Sequence, residues 1–100
     1  MSTWTFITNH ARVLMVITND PTVRLRDIAA TLDITERAAQ RIVTELVEEG
    51  YLSRKREGRR NVYTVHANKP MRAPQSRSTE VGEFIDLMLA NADPKTVGKS

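Results

Sequence analysis

The sequence predicts an α+β fold that is mainly helical, with a three-helix core, a β-hairpin and an additional C-terminal helix. Three observations lead to this prediction. Apolar residues recur at helical spacing in short segments before Gly50. Two strand-like runs then flank a short loop that contains Gly58, a pattern typical of a hairpin. A last apolar stripe at helical spacing follows a proline-containing segment without periodicity.

The first two helices are predicted from their end signals. Thr8 or Asn9 can cap the first helix, which is expected to end before Asp20-Pro21. Val23-Arg24-Leu25 alternates apolar and charged residues, which predicts a short strand and therefore a sheet of two or three strands. The second helix is expected to start at Asp27.

The third helix, predicted at residues 36–49, has one face suited to a core and one suited to a nucleic acid. Thr35 is a good N-cap residue, and Gly50 is a natural stop. The apolar face has residues at i, i+3, i+4 and i+7, namely Ala39, Ile42, Val43 and Leu46. The opposite face repeats this spacing with Arg37, Gln40, Arg41 and Thr44, and Ala38 lies beside them.

Those polar side chains match the hydrogen-bonding groups of the DNA major groove. Arginine can bridge the O6 and N7 acceptors of guanine, glutamine can pair with adenine, and a small methyl group can contact thymine. The candidates for base reading are Arg37, Gln40 and Arg41, with Ala38 and Thr44 in support. Backbone amides at the helix starts near Asp27 and Thr35 are candidates for phosphate binding.

The hairpin, predicted at residues 51–65, concentrates the positive charge of the chain. The net charge is +3, but residues 53–72 carry seven Lys or Arg side chains against Glu57 alone. Such a field suits a polyanionic partner. Arg59 and Arg60 are candidates for entering a minor groove. The side chains predicted to contact phosphate are those of Arg54, Lys55 and Arg56.

Both features also have a purely structural interpretation. Arginine, glutamine and threonine are common on any solvated helix face, and charge often protects exposed strand edges. Glu45, Glu48 and Glu49, near the end of the third helix, are expected to point away from a duplex. A protective edge more often mixes both signs, whereas the hairpin tip is almost wholly basic. Helix and hairpin together favour double-stranded DNA as the partner.

A longer pattern resembles a known family. It consists of Leu25-Arg26-Asp27-Ile28-Ala29, the run from Ile34 to Leu52 with its Glu48-Glu49-Gly50-Tyr51-Leu52 end, and Arg56-Glu57-Gly58-Arg59-Arg60-Asn61-Val62-Tyr63. Over about residues 8–66 the chain resembles bacterial winged helix-turn-helix regulators of the MarR/ArsR type. The resemblance implies a DNA-binding domain at 1–68, with a recognition helix at 36–49 and a wing at 51–65. It also implies a homodimer that regulates transcription from a near-palindromic operator, with repression as the favoured mode.

The C-terminal third is predicted to contain a linker at 69–78, an amphipathic helix at 79–93 and a flexible tail at 94–100. The apolar stripe of the helix consists of Val81, Phe84, Ile85, Met88 and Leu89. This stripe either covers the domain's own core or forms a dimer contact together with Trp4 and the first helix. Dimerisation is favoured, because DNA readers of this kind usually need two half-sites.

The composition argues against several other classes. Without cysteine the chain has neither a disulfide nor a thiolate metal site. His10 and His66 lack the spacing of a metal site, so no metal or other cofactor is predicted. Phosphate-binding loops and nucleophile elbows are absent from the sequence, so an enzyme is not expected. The missing thiolates and the single helix after the wing argue against a metal or small-molecule effector.

The sequence predicts a cytoplasmic protein without a membrane partner. No apolar run approaches the ~20 residues that span a bilayer, and the first residues lack a secretion signal. Two alternatives to operator binding stay open. One is a winged-helix module that binds another protein, and the other is a nucleic-acid-binding accessory protein without operator specificity.

Overall fold

The computed structural model describes residues 5–71 and 79–92. Within these residues the elements are, in chain order, α1 (Asn9–Asn19), α2 (Leu25–Leu32), α3 (Glu36–Glu48), β1 (Leu52–Glu57), β2 (Arg60–Val65) and α4 (Val81–Ala92). This order confirms the predicted α+β, mainly helical fold. The chain divides into two compact units, Met1–Val65 and His66–Ser100.

The core of the first unit is formed by the apolar faces of α1, α2 and α3. Thr8 caps α1, because its hydroxyl oxygen accepts a hydrogen bond from the backbone N–H of Ala11 at 3.2 Å. The buried helical side chains are Val13, Leu14, Ile17, Ile28, Ala29, Leu32, Ala39, Ile42, Val43 and Leu46. All four predicted core positions of α3 are among them, so the opposite face of that helix is turned away from the core.

The strand predicted at Val23-Arg24-Leu25 is wrong. Among the described residues the sheet contains β1 and β2 alone. Leu25 is instead the first residue of α2, which begins two residues before the predicted start at Asp27. Helical hydrogen bonding begins here because the carbonyl oxygen of Arg24 accepts from the N–H of Ile28 at 3.0 Å.

The turn that starts at Asp20, together with the start of α2 at Leu25, explains why residues 23–25 form no strand. Its N–H groups are used locally: Thr22 N donates to Asp20 Oδ1 at 3.2 Å, and Val23 N donates to the Asp20 carbonyl at 3.0 Å. Pro21 has no N–H to donate. The segment therefore acts as an acceptor, and Tyr63 N in β2 donates to the Pro21 carbonyl at 2.9 Å.

The turn between α2 and α3 is set by two local devices. Asp33 adopts the left-handed conformation with φ 57°, which aspartate tolerates better than most residues. Ile34 N then donates back to the Ala29 carbonyl at 3.0 Å, as in a Schellman-type helix end. Thr35 caps α3 by accepting from Ala38 N at 3.0 Å. The two helices are thus joined by a turn of three residues.

Two glycines set the turns of this region, Gly50 between α3 and the hairpin and Gly58 in the hairpin loop. Gly50 has φ 87° and follows the end of α3, which confirms the predicted stop. The strands pair antiparallel from Leu52 opposite Val65 to Glu57 opposite Arg60. The loop is therefore Gly58-Arg59, and Gly58 has φ 61°, the conformation that the first residue of a two-residue hairpin loop requires.

The second unit contains α4, which lies within the predicted range 79–93. Val81 N donates to the Lys69 carbonyl and Gly82 N donates to the Ala67 carbonyl, both at 2.8 Å. Along the predicted stripe Val81 and Ile85 are buried, and the half-buried positions are Phe84, Met88 and Leu89. Trp4, residues 72–78 of the predicted linker and the predicted tail lie outside the described residues. Among the described helices, none has the length and apolar character needed to cross a membrane.

Candidate nucleic-acid interface

The face of α3 opposite the core is a polar ridge, defined here as Arg37, Gln40, Arg41 and Thr44. Arg37, Gln40 and Arg41 are exposed, and Thr44 is half-buried, as is the neighbouring Ala38. Arg37 and Gln40 form no side-chain hydrogen bond or ion pair with the described residues, so their donors are open to a ligand. The ridge therefore presents hydrogen-bonding groups to the outside on a rigid helix.

Thr35 has a structural role as the N-cap of α3. Its side chain is exposed, but its hydroxyl oxygen already accepts the Ala38 N–H. The start of α2 differs, because Arg24 at its N-cap position forms no side-chain capping bond. At both helix starts that were candidates for phosphate binding, the third amide already has a partner, since Asp27 N donates to the Arg24 carbonyl and Ala38 N to the Thr35 hydroxyl.

Among the described residues, Arg41 is the member of the polar ridge that forms an ion pair. Its Nη1 lies 3.4 Å from Glu45 Oε2, one helical turn along α3. Glu45 Oε1 lies 2.6 Å from Nε2 of His10 on α1. A carboxylate can only accept, so Nε2 carries the proton in this contact. The hydrogen bond from His10, followed by the charge of Arg41, holds the pKa of Glu45 below its ordinary value.

The pairing of His10 with Glu45 was missed by the sequence reasoning. The two residues are 35 positions apart, and His10 was predicted only as a residue without metal-site spacing. Histidine in the first turn of α1 and glutamate in the third turn of α3 carry no shared motif. Only the packing of α1 against α3 brings them together.

The strand register divides the basic residues of β1 between two faces of the hairpin. Arg54 and Arg56 share a face with buried Leu52, whereas Lys55 lies on the other face. All three basic side chains are exposed. Arg56 Nε donates to the Gly58 carbonyl at 3.1 Å, so this side chain folds along its own loop. One flat surface therefore cannot contact all three residues equally.

Arg59 and Arg60 also differ. Arg60 Nη1 donates to the Thr22 carbonyl at 3.1 Å and lies 3.4 Å from the Thr22 hydroxyl. Arg60 thereby ties the wing to the segment before α2. Arg59, in the loop, is exposed and forms no hydrogen bond or ion pair with the described residues. Arg59 is therefore the more available of the two minor-groove candidates.

A cleft of about 380 Å³ lies between the start of α2 and the wing. Its lining residues are Thr22, Val23, Arg24, Leu25, Arg59, Arg60, Asn61 and Tyr63. Three of these are arginines, and Arg24 and Leu25 lie at the amino end of α2. The cleft thus lies between the wing and the two-helix unit, and its lining is positively charged.

Three packed helices, a short turn before an outward-facing third helix, and a basic hairpin after it define the winged helix-turn-helix class. A family model described as the MarR family matches residues 5–60. The chain therefore belongs to the MarR family, which confirms the MarR part of the resemblance. A search of curated proteins found no match.

Two solved structures have the same fold. The crystal structure of RV1404 from Mycobacterium tuberculosis matches with TM-score 0.54 and 18% identity, covering 94% of this chain and 60% of that one. The zinc-dependent MarR family transcriptional regulator AdcR, in its Zn(II)-bound state, matches with TM-score 0.51 and 16% identity, covering 86% of this chain and 55% of that one. The chain thus spans 60% or less of the length of these two structures. In the described part of this chain, no group of three or more His, Cys, Asp or Glu side chains is placed to hold a metal ion.

Proposed function

We propose that this protein is a transcriptional regulator that binds double-stranded DNA with sequence specificity. The observation that carries the proposal is the outward-facing polar ridge of α3 on a MarR-family fold. A helix of this composition fits the major groove, where arginine and glutamine form paired hydrogen bonds with base edges. In this function α3 is the recognition helix and the hairpin is the wing.

The proposed roles follow from the surroundings of each side chain. Arg37, Gln40 and Arg41 read bases, and Ala38 and Thr44 pack beside them. Arg54, Lys55 and Arg56 contact phosphates from the two faces of the wing. Arg59 enters the minor groove, and Arg60 holds the wing in place while adding positive charge. Thr35 acts at the amino end of α3 mainly by capping the helix that carries the ridge.

The proposed assembly is a homodimer on a near-palindromic operator. Two-fold symmetric DNA readers place two recognition helices in major grooves about one turn apart. Residues 1–68 form the DNA-binding domain, and the apolar stripe of 79–93 contributes to the dimer contact across a linker at 69–78. We favour repression, in which the bound protein occupies the operator. We expect the protein to act in the cytoplasm. Nothing in the proposal requires a cofactor, an effector or an enzymatic step.

Selection of bound fragments from a random DNA pool tests the proposal directly. The recovered fragments should share a motif with two-fold symmetry. Gel shifts on that motif then compare Gln40→Ala with Glu48→Ala, since both residues are exposed on α3 but only Gln40 belongs to the polar ridge. Gln40→Ala should cost about 1–3 kcal/mol on the motif and almost nothing on random DNA. Glu48→Ala should leave the discrimination between the two unchanged.

Two other results would lead to different functions. If the selected fragments are unrelated and bind with equal affinity, the protein is a nucleic-acid-binding accessory protein without operator specificity. A lack of binding even at low salt would favour the protein-interaction module, because phosphate contacts are strongest under those conditions.

A further inference from the structure

We propose that Glu45 is a positioning residue for Arg41 and that His10 fixes Glu45 in place, so that a residue of α1 influences which base Arg41 prefers. This inference rests on the proposed function. It concerns two residues that lie beside the polar ridge but do not belong to it.

The geometry joins the three side chains through one carboxylate. Each oxygen of Glu45 has one partner: Oε1 lies 2.6 Å from His10 Nε2, and Oε2 lies 3.4 Å from Arg41 Nη1. The side chains of His10 and Glu45 are 42% and 43% exposed, whereas that of Arg41 is 63% exposed. The carboxylate is therefore partly sheltered, and the guanidinium is the part that reaches the solvent.

The contact to a second helix distinguishes this pair from an ordinary one. An exposed Arg–Glu pair at i, i+4 contributes little, because two long side chains lose rotamer freedom when they pair. Here the short hydrogen bond from α1 already restrains Glu45. The Glu45 carboxylate is therefore largely held in place before Arg41 pairs with it.

The expected consequence is a preferred orientation of the Arg41 guanidinium. Arginine has five N–H donors in a planar fork, and the Glu45 contact uses the Nη1 end. The remaining donors can still form the paired bonds to guanine O6 and N7. Arg37 and Gln40 have no comparable anchor among the described residues, so Arg41 is the ridge residue whose base preference depends on a neighbour.

The test measures base preference rather than affinity alone. Arg41→Ala first identifies the base pair that Arg41 reads in the selected motif. Competition gel shifts then measure discrimination at that base pair for wild type, Glu45→Gln and His10→Ala. Glu48→Gln is the matched control, because it makes the same charge change on the same helix but has no hydrogen bond or ion pair to His10 or Arg41 in the described structure.

Glu45→Gln should reduce discrimination at the Arg41 base pair about threefold or more, with other positions of the motif unchanged. His10→Ala should act in the same direction without altering α3. In an Arg41→Ala background, Glu45→Gln should have no further effect at that base pair. Loss of a negative charge should raise the affinity for random DNA in Glu45→Gln and Glu48→Gln alike, which separates general electrostatics from positioning.

Three outcomes would overturn the inference. If Glu45→Gln and Glu48→Gln discriminate equally well at the Arg41 base pair, Glu45 does not position Arg41, although DNA binding itself stands. If Glu45→Gln lowers discrimination and His10→Ala does not, the role assigned to α1 is wrong. If the wild-type protein binds no DNA at low salt, the proposed function and this inference are both lost.

Discussion

Arg59 and Arg60 are adjacent in the chain, yet their guanidinium groups have different surroundings. Arg60 donates to the Thr22 carbonyl, whereas Arg59 contacts none of the described residues through a hydrogen bond or ion pair. A side chain that already has a protein partner must lose it, or share it, to bind a phosphate. The two residues are therefore expected to contribute different free energies, one mainly to DNA binding and the other mainly to folding.

The first prediction compares Arg59→Ala with Arg60→Ala. Arg59→Ala should reduce the slope of log affinity against log salt by about one, with almost no change in the free energy of unfolding. Arg60→Ala should destabilise the fold by about 0.5–1 kcal/mol and change the slope less. Fluorescence anisotropy in a salt series and urea unfolding give the two quantities. Equal slopes for both variants would show that the tie to Thr22 does not persist in the complex.

The second prediction concerns acid and Glu45. The pKa of Glu45 lies below its ordinary value of 4.5, first because of the hydrogen bond from His10 and then because of Arg41. A lowered folded-state pKa gives stability that is fully present above the unfolded-state value and is lost as pH falls through the folded-state value. The difference in unfolding free energy between wild type and Glu45→Gln should therefore shrink below about pH 4.5. Urea unfolding in a pH series measures this, and a difference that grows on acidification would contradict it.

At the scale of elements, helix ends were predictable where their causes are local. Thr8, Thr35 and Gly50 each act within a few residues, and the structure places each at the expected helix end. The strand at 23–25 failed because its alternation of residues says nothing about where the backbone N–H groups are used. The Asp20 turn takes the N–H of Val23, and α2 already begins at Leu25, neither of which a pattern within the three residues reveals. The contact of His10 with Glu45 was equally hidden, since it depends on how α1 packs.

The third prediction separates the capping role of Thr35 from a direct contact with DNA. Thr35→Ala removes the acceptor for the Ala38 N–H and should destabilise the protein by about 1 kcal/mol. Thr35→Ser keeps that acceptor and should cost much less. Thermal unfolding ranks the two variants, and gel shifts at a temperature where both are folded test the interface. A large loss of affinity in Thr35→Ser, despite intact stability, would point to a methyl contact with the DNA.

The fourth prediction uses the close approach at the start of α4. A Cβ at Gly82 would lie 2.8 Å from Ala67 Cβ and 3.1 Å from the Ala67 carbonyl oxygen. Gly82→Ala should therefore destabilise the protein by about 1–3 kcal/mol, although alanine is the better helix former. The double variant Ala67→Gly, Gly82→Ala should recover part of the loss, because it removes the nearest atom. Urea unfolding compares the three proteins, and a stabilised Gly82→Ala would refute the contact.

At the scale of the whole molecule, the positive charge is concentrated in the wing. The wing, residues 51–65, carries five basic side chains and one acidic side chain, whereas the rest of the chain carries ten basic and eleven acidic ones and is almost neutral overall. Glu45, Glu48 and Glu49 lie in the second half of α3 or just after it, beyond the arginines of the polar ridge. Under the proposed function, this distribution should attract a duplex to the wing and to the first half of α3 and so orient the protein before any base is read.

The fifth prediction is the stoichiometry of the complex. A homodimer on a near-palindromic operator should bind with two protomers per duplex, as measured by sedimentation of the complex at saturating protein. A duplex that contains a single half-site should bind much more weakly under the same conditions. One protomer per full operator, with no loss of affinity on the half-site, would show that the protein acts as a monomer.

The length of the hairpin has a consequence for the size of the operator. Each strand has six residues, and a strand rises about 3.3 Å per residue, so the wing extends roughly 20 Å from its base. Base pairs stack about 3.4 Å apart, and that reach corresponds to about six of them. In the proposed function, a wing lying along the duplex would extend the footprint of each protomer past the bases read by α3 into flanking sequence, where groove width rather than base identity determines how well Arg59 fits.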